Sequence, residues 1–229
     1  MDKTTIMMTS ILLSCFKRPH LLKLGLFSIR KNKPTIDYEI LVLNDGIPDE
    51  TESVCNGFKD LNIRYIFTGQ RNLNGIKKRV SGFTMNIGIK QALGDIILFS
   101  CPEIFQLNEC IDIVVEKLIE NPMCMVIPDY MYFDQKKILT DKLIDDPNTT
   151  IDYNLLSDDI YYNKAHVQMP YLMALFKHHL LEIGGYDEDF IGYAGEDNDL
   201  VDRLKLKGLT HLRTKAKIIH LYHEGTGNG

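Results

Sequence analysis

The residues best suited to chemistry crowd into one stretch. Gly184 to Leu204 opens with Gly184-Gly185-Tyr186-Asp187, passes a second glycine-rich turn, Gly192-Tyr193-Ala194-Gly195, and runs into Glu196-Asp197-Asn198-Asp199. Leu200 and Leu204 then fall at helical spacing. This pattern predicts a loop that delivers carboxylates onto the first turn of a helix, where free backbone N–H groups and the helix dipole favour negative charge. On its own the stretch reads as a capped surface helix, with Asp197 or Asn198 as N-cap. Elsewhere, Ile76-Lys77-Lys78-Arg79 puts cations at a predicted helix start, which the dipole disfavours. Such a cluster suits a diphosphate, whose charge needs Arg or Lys partners. Near the C-terminus His220 and His223 stand three apart at the end of a predicted strand. A lone histidine is usually structural; two at this spacing are better candidates for ligands.

The elements that must position these groups follow from periodicity. Ser10 to Cys15 reads as a strand, and Pro19 starts a largely buried helix carrying Leu21, Leu22, Leu24, Leu26, Phe27 and Ile29. Glu39 to Leu43 is a short apolar strand stopped by Asn44-Asp45-Gly46, a strong turn signal. Asp49 caps a polar helix to Lys59, and Asn62 to Phe67 is a third strand. A helix spans Lys77 to Leu93, Ile96 to Phe99 is a fully buried strand, and Leu107 to Leu118 is an amphipathic helix followed by a strand at Met123 to Ile127. This alternation predicts an α/β fold with a mostly parallel central sheet and helices on both faces. Ligands in such sheets sit outside the C-terminal strand ends. The candidate loops are then Ser14 to Arg18, Asn44 to Gly46, Thr68 to Arg79 and Ser100 to Phe105. Tyr130 to Met169 reads as an irregular insertion with short strands, a substrate-facing wall. Tyr171 to Phe176 is a strand, Lys177 to Ile183 a short helix, and His211 to Arg213 and Lys217 to Tyr222 are strands.

With 229 residues, 45% of them hydrophobic, the chain suffices for one domain with a real core. A net charge of −5 argues against nucleic acid or an anionic membrane surface as a general partner. No apolar run approaches the roughly 18 residues of a membrane helix. Ile6 to Phe16 is apolar but lacks a small-residue cleavage site, so a buried first strand is expected rather than a signal peptide. Cys15, Cys55, Cys101, Cys110 and Cys124 are odd in number and contain no C-x-x-C pair, which suggests reduced thiols in a cytoplasm.

Four motifs, in order, give a resemblance that covers nearly the whole chain. They are Leu13-Ser14-Cys15-Phe16-Lys17-Arg18-Pro19, Glu39-Ile40-Leu41-Val42-Leu43-Asn44-Asp45-Gly46, Thr84-Met85-Asn86-Ile87-Gly88 running to Gly94-Asp95, and the acidic stretch described first. The chain resembles the inverting GT-A glycosyltransferases of family-2 type, with a C-terminal acceptor motif similar to that of galactosyltransferase-like members. The resemblance implies a Rossmann-like GT-A fold over residues 1–229, with a nucleotide-sugar-binding half at 1–127 and an acceptor-binding half at 128–229. It implies transfer of a sugar from a nucleotide-diphosphate donor, a UDP-sugar, to a saccharide or other hydroxyl acceptor, with inversion. Asp45 would accept a hydrogen bond from the nucleobase or ribose, its plain alternative being an Asx-turn. Ser14, Phe16 and Arg18 would hold the base, and Lys78 and Arg79 the base or phosphates.

The family's Asp-x-Asp metal motif falls on Cys101-Pro102-Glu103, so only its last carboxylate is kept. Glu103 and His223 would then hold a divalent cation, Mn²⁺ being more natural than Mg²⁺ for a site containing imidazole. Asp197 resembles the general base and Glu196 the binder of the acceptor hydroxyl. The altered metal motif favours an alternative, a catalytically degenerate nucleotide-sugar-binding module of the same fold. A nucleotidyltransferase ranks last, since Ser14 to Pro19 contains no glycine. A homodimer is left open.

Overall fold

The computed structural model describes residues 7–69, 80–157, 170–190 and 195–224. Along the chain these form β1 (Thr9–Cys15), α1 (Pro19–Lys31), β2 (Tyr38–Asn44), α2 (Thr51–Asn56), β3 (Ile63–Phe67), α3 (Ser81–Gln91), β4 (Ile96–Ser100) and β5 (Ile104–Gln106). They continue with α4 (Cys110–Glu120), β6 (Cys124–Phe133), α5 (Ile138–Asp145), β7 (Leu172–Phe176), α6 (Lys177–Glu182), α7 (Glu196–Leu206) and β8 (Thr210–His220). All eight strands join one sheet in the order β3-β2-β1-β4-β7-β6-β8-β5.

The sequence dictates the middle of this sheet directly. Every residue of β2 and β4 is buried, so these strands are covered on both faces. Leu12 and Leu43 meet α3, where Gly88 lets the helix approach: a Cβ there would lie 2.6 Å from Leu43 Cδ1. Cys15, of opposite parity in β1, instead meets Thr51 of α2, its Sγ 3.7 Å from Oγ1. Pro19 opens α1, where its missing N–H costs nothing, and Arg30 and Lys31 close it in favour with the dipole.

The sheet departs from simple alternation after β4. Pairings β1–β2, β2–β3, β1–β4 and β6–β8 are parallel, but β7 enters between β4 and β6 antiparallel to both, and β5 pairs antiparallel with β8. The strand expected at Met123 to Ile127 is therefore the start of β6, one place further out. A period-2 pattern cannot distinguish these neighbours, because both faces of each are apolar.

Other boundaries move for local reasons. The helix begun after Asp49 stops at Asn56, and the described part of the Lys77 to Leu93 helix is α3. The segment expected to be irregular from Tyr130 carries β6 to Phe133 and then α5, which is anchored by Leu139 and Leu143 on a small second core with Leu21, Leu24, Phe105, Ile219 and Leu221. Two apolar residues one turn apart are too short a signal to announce a helix. Residues 158–169 of that segment lie outside the described residues. The two strands expected around His211 and Lys217 are one strand, β8, with a register shift of its partner between Pro128 and Tyr130.

Candidate active site

The site begins where β4 ends. The chain turns through Cys101-Pro102-Glu103, with Ile104 N donating to Cys101 O at 3.1 Å, and re-enters the sheet as β5. Ile104 pairs with His220 across the β5–β8 ladder, and Leu221 N donates to Glu103 O at 2.9 Å. This antiparallel register brings position 103 against the histidines at the end of β8. The tail after β8 is pinned by a relay: Asp134 Oδ2 accepts from Thr140 N and Oγ1, and Thr140 Oγ1 accepts from Tyr222 N at 2.9 Å.

Glu103 is the centre of the resulting cluster. Its Oε1 accepts from Arg18 Nη1 at 3.0 Å, with His223 Nε2 at 3.3 Å and His220 Nε2 at 3.9 Å. Its Oε2 is buried and has no hydrogen-bond partner among the described residues. Burial alone would raise its pKa, but the His223 hydrogen bond and the charges of Arg18 and the histidines outweigh that and hold it at about 2. Burial pushes His220 the other way for a base, down to about 4. At neutral pH the carboxylate is thus ionised and the His220 imidazole neutral, the forms that ligate metals. His223 Nδ1 lies 3.0 Å from Glu224 O, a carbonyl that can only accept. With Nδ1–H donated there, His223 would present Nε2 to a cation that replaced its hydrogen bond to Glu103, the arrangement ligating histidines use.

One ligand atom from each of Glu103, His220 and His223 lies within 4.8 Å of the others. An unpaired buried carboxylate oxygen beside two imidazoles fits a divalent cation. The sequence reading preferred His223; the structure groups His220 with it. Cys101, at the position of the missing carboxylate, is not part of this cluster, and burial pushes its thiol pKa well up.

Arg18, expected on the nucleobase, is engaged with Glu103 and also reaches Glu224 O at 3.3 Å. Beside it opens a groove of about 350 Å³ with Phe16, Lys17, His20, Lys137, Tyr222 and His223 among its walls. Lys17 and Lys137 both have left-handed backbone, φ 55° and 64°, a strained state for non-glycine residues that clusters at functional sites. Ser14 is half-buried at the end of β1. Asp45 is buried beneath the loops, and its Oδ2 accepts from Thr84 Oγ1 at 3.0 Å. The Asx-turn belongs to its neighbour: Asn44 Oδ1 accepts from Gly46 N at 3.0 Å. Lys78 and Arg79 lie outside the described residues.

The acidic helix forms the other side. α7 starts at Glu196, and the residue before it, Gly195 with φ 118°, offers no side-chain cap. Neither Asp197 nor Asn198 is the N-cap, so the capping expectation is overturned. The Asp197 carboxylate is turned instead to Tyr186, whose hydroxyl donates to Oδ1 at 3.0 Å. Tyr186 is fixed from three sides. Its ring meets Phe99 edge-on with centroids 5.9 Å apart, its N–H donates to Asn86 Oδ1, and its carbonyl accepts from Asn86 Nδ2, both at 2.8 Å. Arg203, steadied within α7 by Asp199, ties the helix to the same turn through Ile183 O and Gly185 O. Glu196 is buried, with Oε1 accepting from Ser81 Oγ at 3.2 Å and Oε2 without a partner among the described residues.

Helix-start N–H groups were expected to keep Asp197 ionised. Burial and the adjacent Glu196 charge dominate instead and raise its pKa to about 7, against the lowering by the Tyr186 hydroxyl. Tyr171 and Cys101 are made weaker acids by burial and by the charges of Glu103 and Asp197, which both feel. Sequence reasoning missed Tyr186, Ser81 and Tyr171. Tyr186 stood inside the quoted acidic motif, but the weight fell on the carboxylates around it.

With this geometry in view, comparisons with known proteins converge. The glycosyltransferase-like family 2 profile matches residues 23–224. No curated protein matches the sequence. Among solved structures, the mannosyltransferase PcManGT from Pyrobaculum calidifontis, in complex with GDP-Man and Mn²⁺, is 13% identical with a TM-score of 0.66, over 99% of this chain and 60% of that one. GalNAc-T7 with UDP, GalNAc and Mn²⁺ gives 12% and 0.67, over 96% of this chain and 45% of that one. S. aureus TarS 1-349 in complex with UDP-GlcNAc gives 16% and 0.61, over 96% and 60%. This chain therefore spans about half to three-fifths of those proteins' length, and at such identities the likeness concerns the fold, which is GT-A. From a profile match over most of its length, the chain belongs to the glycosyltransferase-like family 2.

Proposed function

We propose that this glycosyltransferase moves a hexose from a UDP-sugar to an acceptor hydroxyl with inversion, assisted by a divalent cation. The observation that carries the reading is the pairing of two unlike groups, both felt by Tyr171: a Glu103–His220–His223 cluster and the Asp197 carboxylate, whose pKa burial and Glu196 raise to about 7. A base works best with a pKa near the operating pH. Asp197 takes the proton of the attacking hydroxyl, held in place by Tyr186. Glu196, whose Oε2 has no partner among the described residues, binds that hydroxyl before transfer. Glu103, His220 and His223 would hold the cation, which supplies positive charge to the departing diphosphate. Mn²⁺ suits two imidazoles and one carboxylate better than Mg²⁺ does. Arg18 and Lys17, at the groove, and Lys78 and Arg79 pair with the donor's phosphates, while Ser14, Phe16 and Asp45 receive its nucleoside. In this reading residues 1–127 bind the donor and 128–229 the acceptor. The five free cysteines suit a reducing compartment such as the cytoplasm; no helix among the described residues is long and apolar enough to cross a membrane.

A donor-hydrolysis and transfer screen across nucleotide sugars, with and without Mn²⁺, tests this. Turnover of a UDP-sugar that stops on chelation is expected; failure to bind any nucleotide sugar overturns it. The second reading, a binding module without turnover, is favoured by the thiol at Cys101 where the family has a carboxylate, and it predicts binding with no hydrolysis.

A further inference from the structure

A second group of metal-type ligands stands far from the first along the fold. α6 follows β7, and β7 runs antiparallel to β4 with Phe176 opposite Ile96. α6 therefore lies at the N-terminal end of β4, while Glu103 lies beyond its C-terminal end. On this helix His178, His179 and Glu182 each place a ligand atom within 4.8 Å of the others. His178 and Glu182 are one turn apart and share a face. The His178 and His179 ring centroids are 4.0 Å apart.

Three features make this more than a chance meeting of surface side chains. First, His179 is buried, and its Nε2 lies 3.1 Å from Pro122 O. The carbonyl only accepts, so the proton sits on Nε2 and Nδ1 keeps its lone pair. Backbone carbonyls fix the tautomer of ligating histidines in this way. Second, the helix is held rigidly. Lys177 N donates to Asp95 O at 2.8 Å, Lys177 Nζ to Ala92 O at 2.7 Å, and Leu180 is fully buried. Third, His178 and Glu182 are exposed, which leaves further coordination positions open to water.

We propose that α6 carries a second divalent-cation site, made by His178, His179 and Glu182, that takes a borderline transition ion of the Zn²⁺ type. Two imidazole nitrogens, one carboxylate and a water satisfy four-coordinate Zn²⁺. Mn²⁺ prefers more oxygen and gains it only where phosphates complete the shell. The α6 site lies at the opposite end of β4 from Asp197 and Glu103, so its role is to brace the helix rather than to take part in transfer.

Zinc titration of the full chain by calorimetry tests the site, with Co²⁺ absorption reporting coordination geometry. His178→Ala is the first variant; its side chain is exposed, so folding is preserved. Zn²⁺ affinity at one site should fall by about tenfold or more, as loss of a ligand-shell group does. The Zn²⁺-induced rise in melting temperature should shrink, and transfer activity should stay unchanged. His178→Ala with Glu182→Gln should remove that site altogether. In a Glu103→Gln/His223→Gln background the α6 site should still bind one ion, which separates it from the transferase centre. If Zn²⁺ stoichiometry and affinity are the same in wild type and in the double α6 variant, the proposal is wrong. It is equally wrong if every bound ion disappears with Glu103 and His223.

Discussion

Two clusters of one carboxylate and two imidazoles stand beyond opposite ends of β4. Glu103, His220 and His223 come from three places in the chain: the turn after β4, the last residue of β8 and the tail beyond it. His178, His179 and Glu182 come from a single helical turn. Identical donor chemistry thus arises from a tertiary arrangement in one case and a secondary one in the other. The difference lies in the surroundings. The first carboxylate is buried against Arg18 and held at about 2, and its charge reaches Tyr171, which also feels Asp197. The second set is open to water at His178 and Glu182, and its buried His179 rests on a backbone carbonyl. A ligand set becomes a candidate for catalysis only when a base and an anion-binding groove stand beside it.

This contrast can be broken by activity. Asp197→Asn keeps size and the acceptor for the Tyr186 hydroxyl but cannot take a proton. Transfer should fall by about 10²–10⁴-fold with nucleotide-sugar binding intact, while His178→Ala leaves initial rates unchanged. An active Asp197→Asn enzyme would move the base elsewhere.

Stability sharpens the same point. A carboxyl raised to about 7 in the folded chain binds its proton more tightly than in the unfolded chain. Its protonated form is therefore favoured by folding, and stability drops as pH rises from about 4 to about 7. The groups facing it, Glu196, Tyr186 and more distantly Cys101 and Tyr171, set the size of the effect. Asp197→Asn should stabilise the protein at pH 8 by on the order of 2–4 kcal/mol and change little at pH 4, by denaturant melts at both values. In the wild type the transfer rate should climb with pH through about 7 as the base ionises. A flat profile between pH 6 and 8 would detach Asp197 from the chemistry.

Smaller effects belong to the donor side. Asp45→Ala should weaken UDP binding by roughly 1–3 kcal/mol in calorimetry, and Arg79→Ala by a similar amount. Unchanged affinity in both variants would place the nucleoside elsewhere. Smallest is Glu196→Gln, where a raised acceptor KM with nearly unchanged kcat is expected from steady-state kinetics, the mark of a binder rather than a base.

The sequence announced what rests on local pattern. Buried β1, β2 and β4 are apolar runs, Pro19 marks a helix start, and the acidic turn of α7 is legible at once. What it hid depends on pairing partners. Nothing in Tyr171 to Phe176 says that β7 slots between β4 and β6, and nothing in Arg18 says that it will meet Glu103 across the fold. Asp197 was visible as a carboxylate at a helix start. Its near-neutral pKa was not, because that follows from burial around Tyr186 and from Glu196, not from the helix N–H groups. Capping failed as a reading because Gly195, not an Asp or Asn, stands at the N-cap.

The path from α7 to β8 ties the two halves of the site together mechanically. Asp197 stands on the first turn of α7, and His220 is the last residue of β8; between them the chain reverses at Gly208, with φ 93°, where Leu209 N donates to Leu204 O at 3.2 Å. Helix and strand form one hairpin-like arm whose bend lies roughly 30 Å of strand away from His220. Because side chains alternate along a strand, a one-residue insertion at that bend which propagates along β8 would turn His220 to the opposite face of the sheet. The spacing of Asp197 and His220 is thus governed partly by the geometry of a remote glycine turn.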